Sequence, residues 1–524
     1  MSFGILLLAL SGTALAKTIT YEWDVGWVNA APDGYERPVI GINGQWPPPI
    51  LEADLDDTIN IKVTNCLGNE TTSIHWHGQW QQGTPNMDGA ADVTQCTIPP
   101  GSSFQYTFTA NPAGTFWYHS HSSGQYPDGI RAPMIVHDRI KEALYGVSAQ
   151  YPLTMSDWYH EQMPKLVHDY LLSNDTASMP TPDSSLTNDT TQPVTIPMKA
   201  HQKVLLRLIN MSAMTPYHIQ FDGHQMSVVA IDGVSIIPTL AESLLITPAQ
   251  RYDVILTGIG NASKNYAWIT KTDGYDLQNN GILSYSDSYA DPSPMTSPST
   301  WNFPDDFFFK PLDLQPILAP VTKRVTLDIN TVTTNAGQRS ITLGNDSYIG
   351  PQVPSLYTTV SESSSNTDPE IYGQVNAFVV NSGDIVELIV NNYADGAHPM
   401  HLHGHVFQLV QRSSDIFSGS EAGFPLIPMK RDTVGMLAGG SIVIRFKADN
   451  PGVWLFHCHI DWHLDAGMSA TVIEAPSKLA ISSIPQDEIA VCTANDQPTT
   501  GNCAGSQDLS NTTICHIEDP NPWG

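Results

Sequence analysis

Two stretches far apart in this chain are copies of one pattern, and that repeat limits the folds open to it. Thr115-Phe116-Trp117-Tyr118-His119-Ser120-His121, preceded by Pro112-Ala113-Gly114, resembles Val453-Trp454-Leu455-Phe456-His457-Cys458-His459, preceded by Pro451-Gly452. Upstream, Asp57-Thr58-Ile59-Asn60-Ile61 leads to His75-Trp76-His77-Gly78, as Asp384-Ile385-Val386-Glu387-Leu388 leads to His401-Leu402-His403-Gly404. A middle copy, Val204 to Asn210, leads to Phe221-Asp222-Gly223-His224, with Gln220 and Asp222 where the outer copies carry histidine. Ser441 to Phe446 alternates like a half-buried strand, and Asn450-Pro451-Gly452 then turns the chain. Short β-rich runs bounded by Gly, Pro, Asn and Asp recur throughout, with little helical periodicity, which indicates β-sandwiches. The expectation is an all-β chain of three consecutive sandwich domains, at 17–145, 150–300 and 320–476, and 524 residues suffice for three. The middle domain reads as a spacer that has lost its histidines. Residues 291–320, rich in Pro, Ser and Asp, read as a long connection, and 477–524 as a polar, Cys-bearing tail.

The outer copies carry four His-x-His pairs: His75/His77, His119/His121, His401/His403 and His457/His459. Residues i and i+2 of a strand share a face, so both rings of each pair look the same way. One pair is easily a surface accident. Four, two in each outer copy, call for metal, and they place it where the first and third domains meet. Eight imidazoles suit three copper ions with positions left open for oxygen, histidine being the commonest metal ligand. Cys458 lies between His457 and His459 and faces the other way. With His398, His463 and Met468 it supplies the two His, one thiolate and weak axial thioether of a blue-copper site. Ten of the 18 histidines are thereby used.

Lys and Arg number 23 against 52 Asp and Glu, a formal charge of −29, which argues against nucleic acid and anionic membrane surfaces. The apolar stretch from Ile5 to Leu10 followed by Ala14-Leu15-Ala16 reads as a secretory signal over 1–16. No later stretch reaches the roughly 20 apolar residues of a spanning helix, so a secreted protein without a membrane anchor is expected, with a monomer favoured. Seven N-x-S/T sequons (Asn69, Asn174, Asn188, Asn210, Asn261, Asn345, Asn511) agree with export. Of six cysteines, Cys503 can pair with Cys515 and Cys96 with Cys492, which leaves Cys66 single beside Cys458.

His75 to Gly78, Trp117 to His121, His398 to His405 and His457 to Met468 resemble the four copper-binding motifs of multicopper oxidases. Within that family the likeness is to fungal iron-oxidase and laccase-type enzymes, through Arg445 to Trp454, Pro428 to Thr433 and Ala249-Gln250-Arg251-Tyr252. The resemblance implies three cupredoxin-like Greek-key domains and four copper ions. Type 1 copper would lie at His398, Cys458 and His463 with Met468 on its axis, and type 2 at His75 and His401. A type 3 pair would lie at His77, His119, His121, His403, His457 and His459. It also implies proton-transfer roles for Asp88 and Asp461. The iron-oxidising members carry a membrane anchor, a carboxylate within the segment aligned with 177–182, and an Asp four residues before the first type 1 histidine. Here the chain ends Pro522-Trp523-Gly524, with Met179 and Ala394 at those two positions and Asp395 one residue later. The leading expectation is therefore a laccase-like oxidase of phenols or other small aromatic reductants, coupling four one-electron oxidations to reduction of O2 to water. Asp395 and Asp276 are candidates for steering the reductant. An iron(II) oxidase, with ferrous iron as partner, or an ascorbate oxidase is the alternative. A non-catalytic copper-binding protein is the distant one, since a carrier needs no site for O2.

Overall fold

The computed structural model describes residues 16–173, 179–334, 337–479, 481–509 and 515. The expected leader lies outside these but for Ala16, as do the sequons at Asn174 and Asn511. Six sheets pair into three successive sandwiches. The first has two four-stranded sheets, one holding Thr58–Asn65 and the other Ile74–His77 and Gly114–Ser120. The second and third each pair a six-stranded with a five-stranded sheet, and the last five-stranded sheet holds His398–Leu402 and Gly452–Cys458. The repeat read in the sequence is a repeat of topology. In each unit the first strand runs parallel to a later one, with Thr18 opposite Thr58, Ala149 opposite Val204 and Lys323 opposite Val386.

Ordinary strands bury one face: in Thr58–Asn65 the side chains of Ile59, Ile61 and Val63 point into the core. Gly114–Ser120 and Gly452–Cys458 are buried at every residue. One face of each packs in its own sandwich and the other is covered by another unit, so the histidines lie at that junction. Asn450 donates from Nδ2 to the carbonyls of Trp80 (2.6 Å) and Gly404 (2.9 Å), joining the first and third units. The middle unit is tied to the third by Arg251, whose Nη1 and Nη2 donate to both oxygens of Asp432 at 2.7 and 2.6 Å, all fully buried. A buried pair of this kind holds only when its geometry is good, and the bidentate fork supplies that.

Both expected disulfides are formed, and Cys66 is an exposed thiol. Asn69, Asn188, Asn261 and Asn345 are exposed, whereas Asn210 is fully buried and donates from Nδ2 to the carbonyls of Thr215 and Ile246, so that sequon is closed to a glycan. The tail helix Gln486–Ala494 carries Cys492, bonded to Cys96 of the first unit. Its Glu488 is buried between Asn86 Nδ2 (2.7 Å) and Tyr357 Oη (3.2 Å). Burial pushes the Glu488 carboxyl up to about 7 against the pull of those two donors. A carboxyl raised on folding contributes stability below its unfolded pKa and loses it as pH rises through the folded one. Chemical denaturation of wild type should therefore weaken between about pH 4.5 and 8, by on the order of 2–4 kcal/mol, relative to Glu488→Gln. Parallel pH profiles for the two proteins would refute this.

Candidate metal centre

Strand register places the histidines opposite one another. His75 pairs across strands with His119 and His401 with His457, so four strands of two units converge on one volume. His121, His403 and His457 each offer a nitrogen within 4.8 Å of the others, and so do His75, His401 and His403. The rings of His77, His119 and His459 form a further triangle, with centroids 5.8, 5.1 and 5.2 Å apart. All eight expected histidines are thus brought together.

The hydrogen bonds decide what these rings can do. Nδ1 lies 2.8 Å from the Asp88 carbonyl in His75, 2.9 Å from that of Ser120 in His119, 2.9 Å from that of Asp432 in His401 and 2.9 Å from that of Cys458 in His457. His403 Nδ1 lies 2.8 Å from Asp88 Oδ2. A carbonyl only accepts, so each of these Nδ1 atoms carries the proton and Nε2 keeps its lone pair. Nε2 of His75, His119, His121 and His401 makes no hydrogen bond although buried, nor does Nδ1 of His77 or either nitrogen of His459. Burial, with the neighbouring rings, holds His77, His119, His121, His401, His457 and His459 well below the ordinary imidazole range, and takes His403 down to about 3. Neutral imidazoles whose buried, unbonded nitrogens converge on one volume are a ligand set for a transition metal.

A second set lies behind Cys458. His398 Nδ1 and His463 Nδ1 are 3.1 Å apart, and Cys458 Sγ is 3.8 and 3.6 Å from them. Burial lowers His398 to about 4 and pushes the thiol well up, so the sulfur ionises only with a cation beside it. Met468 is fully buried in the same apolar cluster as Cys458, and its carbonyl accepts the Cys458 N–H at 3.2 Å. Two imidazole nitrogens and a cysteine sulfur converging among apolar side chains fit copper.

The two acids expected to move protons differ in state. Burial alone would raise Asp88, but the His403 and His75 rings hold it far below the carboxylate range, so it is an anion that orients His403. Asp461 is raised well above that range by burial and by Asp465, Asp157 and Asp128, and holds its proton. It lines a cavity of about 440 Å3 that reaches His119, His121, His457 and His459. Asp465, raised by burial to about 7, lines the same cavity and was not singled out from the sequence, although it lies in the stretch that carries Asp461. Also missed was Thr433, whose Oγ1 touches His401 Nδ1 (3.1 Å) and His77 Nε2 (3.3 Å); no local pattern marks a threonine for that place.

Of the two Cys458-side histidines, His463 has the more open edge, 7% exposed against 1% for His398. Ala394 and Met179 pack on the cluster that holds Cys458, and Arg339 stacks 4.2 Å over Tyr170 and adds its positive charge to the field at His463. Asp395 is exposed, and the exposed Asp276 is paired with Lys271. Neither is brought into the buried metal pocket.

Three segments match models of the multicopper oxidase family, at residues 24–141, 149–288 and 348–478. The chain is 42% identical to the iron transport multicopper oxidase fetC of Epichloe festucae over 94% of its own length and 82% of that protein's. It is 41% identical to the iron transport multicopper oxidase FET3 of Gibberella zeae, over 96% and 83%. Among solved structures it resembles Fet3p, described as a multicopper oxidase that functions in iron import, with a TM-score of 0.90, 34% identity, and 94% and 98% of the two chains covered. It also resembles the laccase of Botrytis aclada, with a TM-score of 0.80, 30% identity and 91% of each chain covered. With three family segments in sequence and two converging ligand sets, the chain belongs to the multicopper oxidases.

Proposed function

We propose that this copper-dependent, O2-using oxidoreductase acts outside the cell and takes its electrons from ferrous iron at the edge of His463. The likeness to iron-transport oxidases along nearly the whole chain carries this reading over the laccase-like one expected from the sequence. Bound copper supplies one-electron transfer at the Cys458 set and reduction of O2 to water at the eight-histidine set. His398, Cys458, His463 and Met468 would hold the type 1 ion. His75 and His401 would hold type 2, and His77, His119 and His459 face His121, His403 and His457 for the type 3 pair. His463 offers the electron its exposed edge. Cys458 passes it through its own peptide bonds to His457 and His459, which strand alternation turns to the other set. Asp461 presents a proton to the cavity beside the type 3 histidines, and Asp88 fixes the His403 tautomer.

A second reading, oxidation of electron-rich phenols, is favoured by the surroundings of His463. Ala394 and Met179 stand where the resemblance expects carboxylates and offer a cation nothing, and Arg339 adds a positive charge at His463. Comparing kcat/KM on ferrous iron, a methoxyphenol and ascorbate decides between them, and iron should win; a phenol preferred over iron would establish the second reading.

Two variants test the ligand assignments. Cys458→Ser should lose the intense blue absorption, and Met468→Leu should raise the type 1 reduction potential; an unchanged potential would remove Met468 from the ligand set. Asp88→Asn should lower copper occupancy of the trinuclear site or O2 consumption by roughly 10–100-fold, as loss of a residue that orients a ligand commonly does. Full occupancy with full activity would show that Asp88 does not set His403.

A further inference from the structure

The alternation that turns His75 and His77 to the copper site sends Trp76, between them, into the core of the first unit. Tyr118, next to His119, goes the same way, and the two are cross-strand partners. From this pair one ring leads to the next. Trp76 and Tyr118 are 6.0 Å apart between centroids, Tyr118 and Trp23 4.9 Å, Trp76 and Trp23 6.0 Å, and Trp23 and Tyr21 6.0 Å. The first three are buried, while Tyr21 is half-buried and has reached the surface. Two side branches end in phenylalanine, Trp76 to Phe108 and Tyr106 to Phe104, a ring that gives up an electron far less readily than tyrosine or tryptophan.

The third unit is an internal control. Its equivalents of Trp76 and Tyr118 are Leu402, between His401 and His403, and Phe456, before His457, and they too are cross-strand partners and fully buried. Packing behind a histidine pair is thus satisfied by leucine and phenylalanine. The oxidisable pair stands only in the unit that lacks the Cys458 route.

We propose that Trp76, Tyr118, Trp23 and Tyr21 form a second electron route, which supplies one electron to the eight-histidine site when the Cys458 route has none to give. The oxidant is O2, taken up by the established activity and incompletely reduced. One electron passes from Tyr21 through Trp23 to Tyr118 and Trp76 and on to the site. Tyr21 releases its phenolic proton to solvent and becomes a neutral phenoxyl radical. A molecule of one-electron reductant at the surface returns the electron, and solvent returns the proton. Tyr118 cannot settle as that radical, because its hydroxyl donates to the Pro49 carbonyl (2.7 Å), which accepts no proton. The route spares the histidines from oxidation.

Cys458→Ser tests this, since loss of the type 1 electron leaves the reduced enzyme one short of what O2 needs. Copper-loaded Cys458→Ser, reduced, exposed to O2 and frozen, should show an organic radical by electron paramagnetic resonance, narrowed by ring-deuterated tyrosine. Adding Tyr21→Phe should abolish the signal and Trp23→Phe should sharply reduce it. Trp268→Phe, which removes a buried indole from the middle unit, should leave it unchanged. No radical, or one indifferent to Tyr21→Phe and Trp23→Phe, overturns the proposal. In the holoenzyme turning over with scarce reductant, peptide mapping should find oxidation at Tyr21, and Trp23→Phe should shift it to the peptides bearing His75 to His121. The same oxidation pattern in both proteins also overturns it.

Discussion

The metal centre depends on a hydrogen bond repeated around the site, from one ring nitrogen of a buried histidine to a fixed acceptor. Eight imidazoles crowded together repel one another if charged, and burial makes charge costlier still. Tying one nitrogen to a carbonyl keeps the ring neutral, fixes its tautomer and turns the other lone pair inward. Four of those acceptors are backbone carbonyls. Ring orientation is therefore set by the strands and loops, before any ion is bound.

Asp432 shows how the spacer unit takes part without contributing a ligand. Its carbonyl holds His401 Nδ1, while its carboxylate is gripped by Arg251 of the middle unit. Thr433, next to it, touches rings from the first and third units. The middle copy lost its histidines at Gln220 and Asp222, yet its arginine steadies a residue that aims one in the third copy. The same alternation serves both ends of the chain: behind His457 and His459 it places a thiol, and behind His75 and His77 an indole.

The features legible in the sequence share a cause. A His-x-His pair on a strand has one geometry, so four pairs fix four directions, and the repeat assigns them to two units. Cys458 was legible for the same reason, since its neighbours' faces determine its own. Contacts between units were not legible. Nothing local predicts that Arg251 meets Asp432 or that Thr433 reaches two rings, because each depends on how separate sandwiches dock. The states of the acids were hidden as well. Asp88 and Asp461 look alike on paper, but one sits between imidazoles and the other among carboxyls, and only position separates an anion from a proton donor.

Overall likeness and local chemistry point in different directions at the electron-entry edge. The likeness runs along nearly the whole chain and reflects the cores and strands that hold the ligands, which an iron oxidase and a phenol oxidase have in common. On the proposed reading, choice of reductant lies instead in the few side chains around His463. A hydrated dication gains from carboxylates and loses beside Arg339, while a neutral aromatic ring is little affected by either. The edge needs no tight site for iron, however: an outer-sphere electron transfer requires approach, not coordination. The formal charge of −29 raises the local concentration of cations over the whole surface, which can outweigh one unfavourable arginine at low ionic strength and fails to do so as salt screens it.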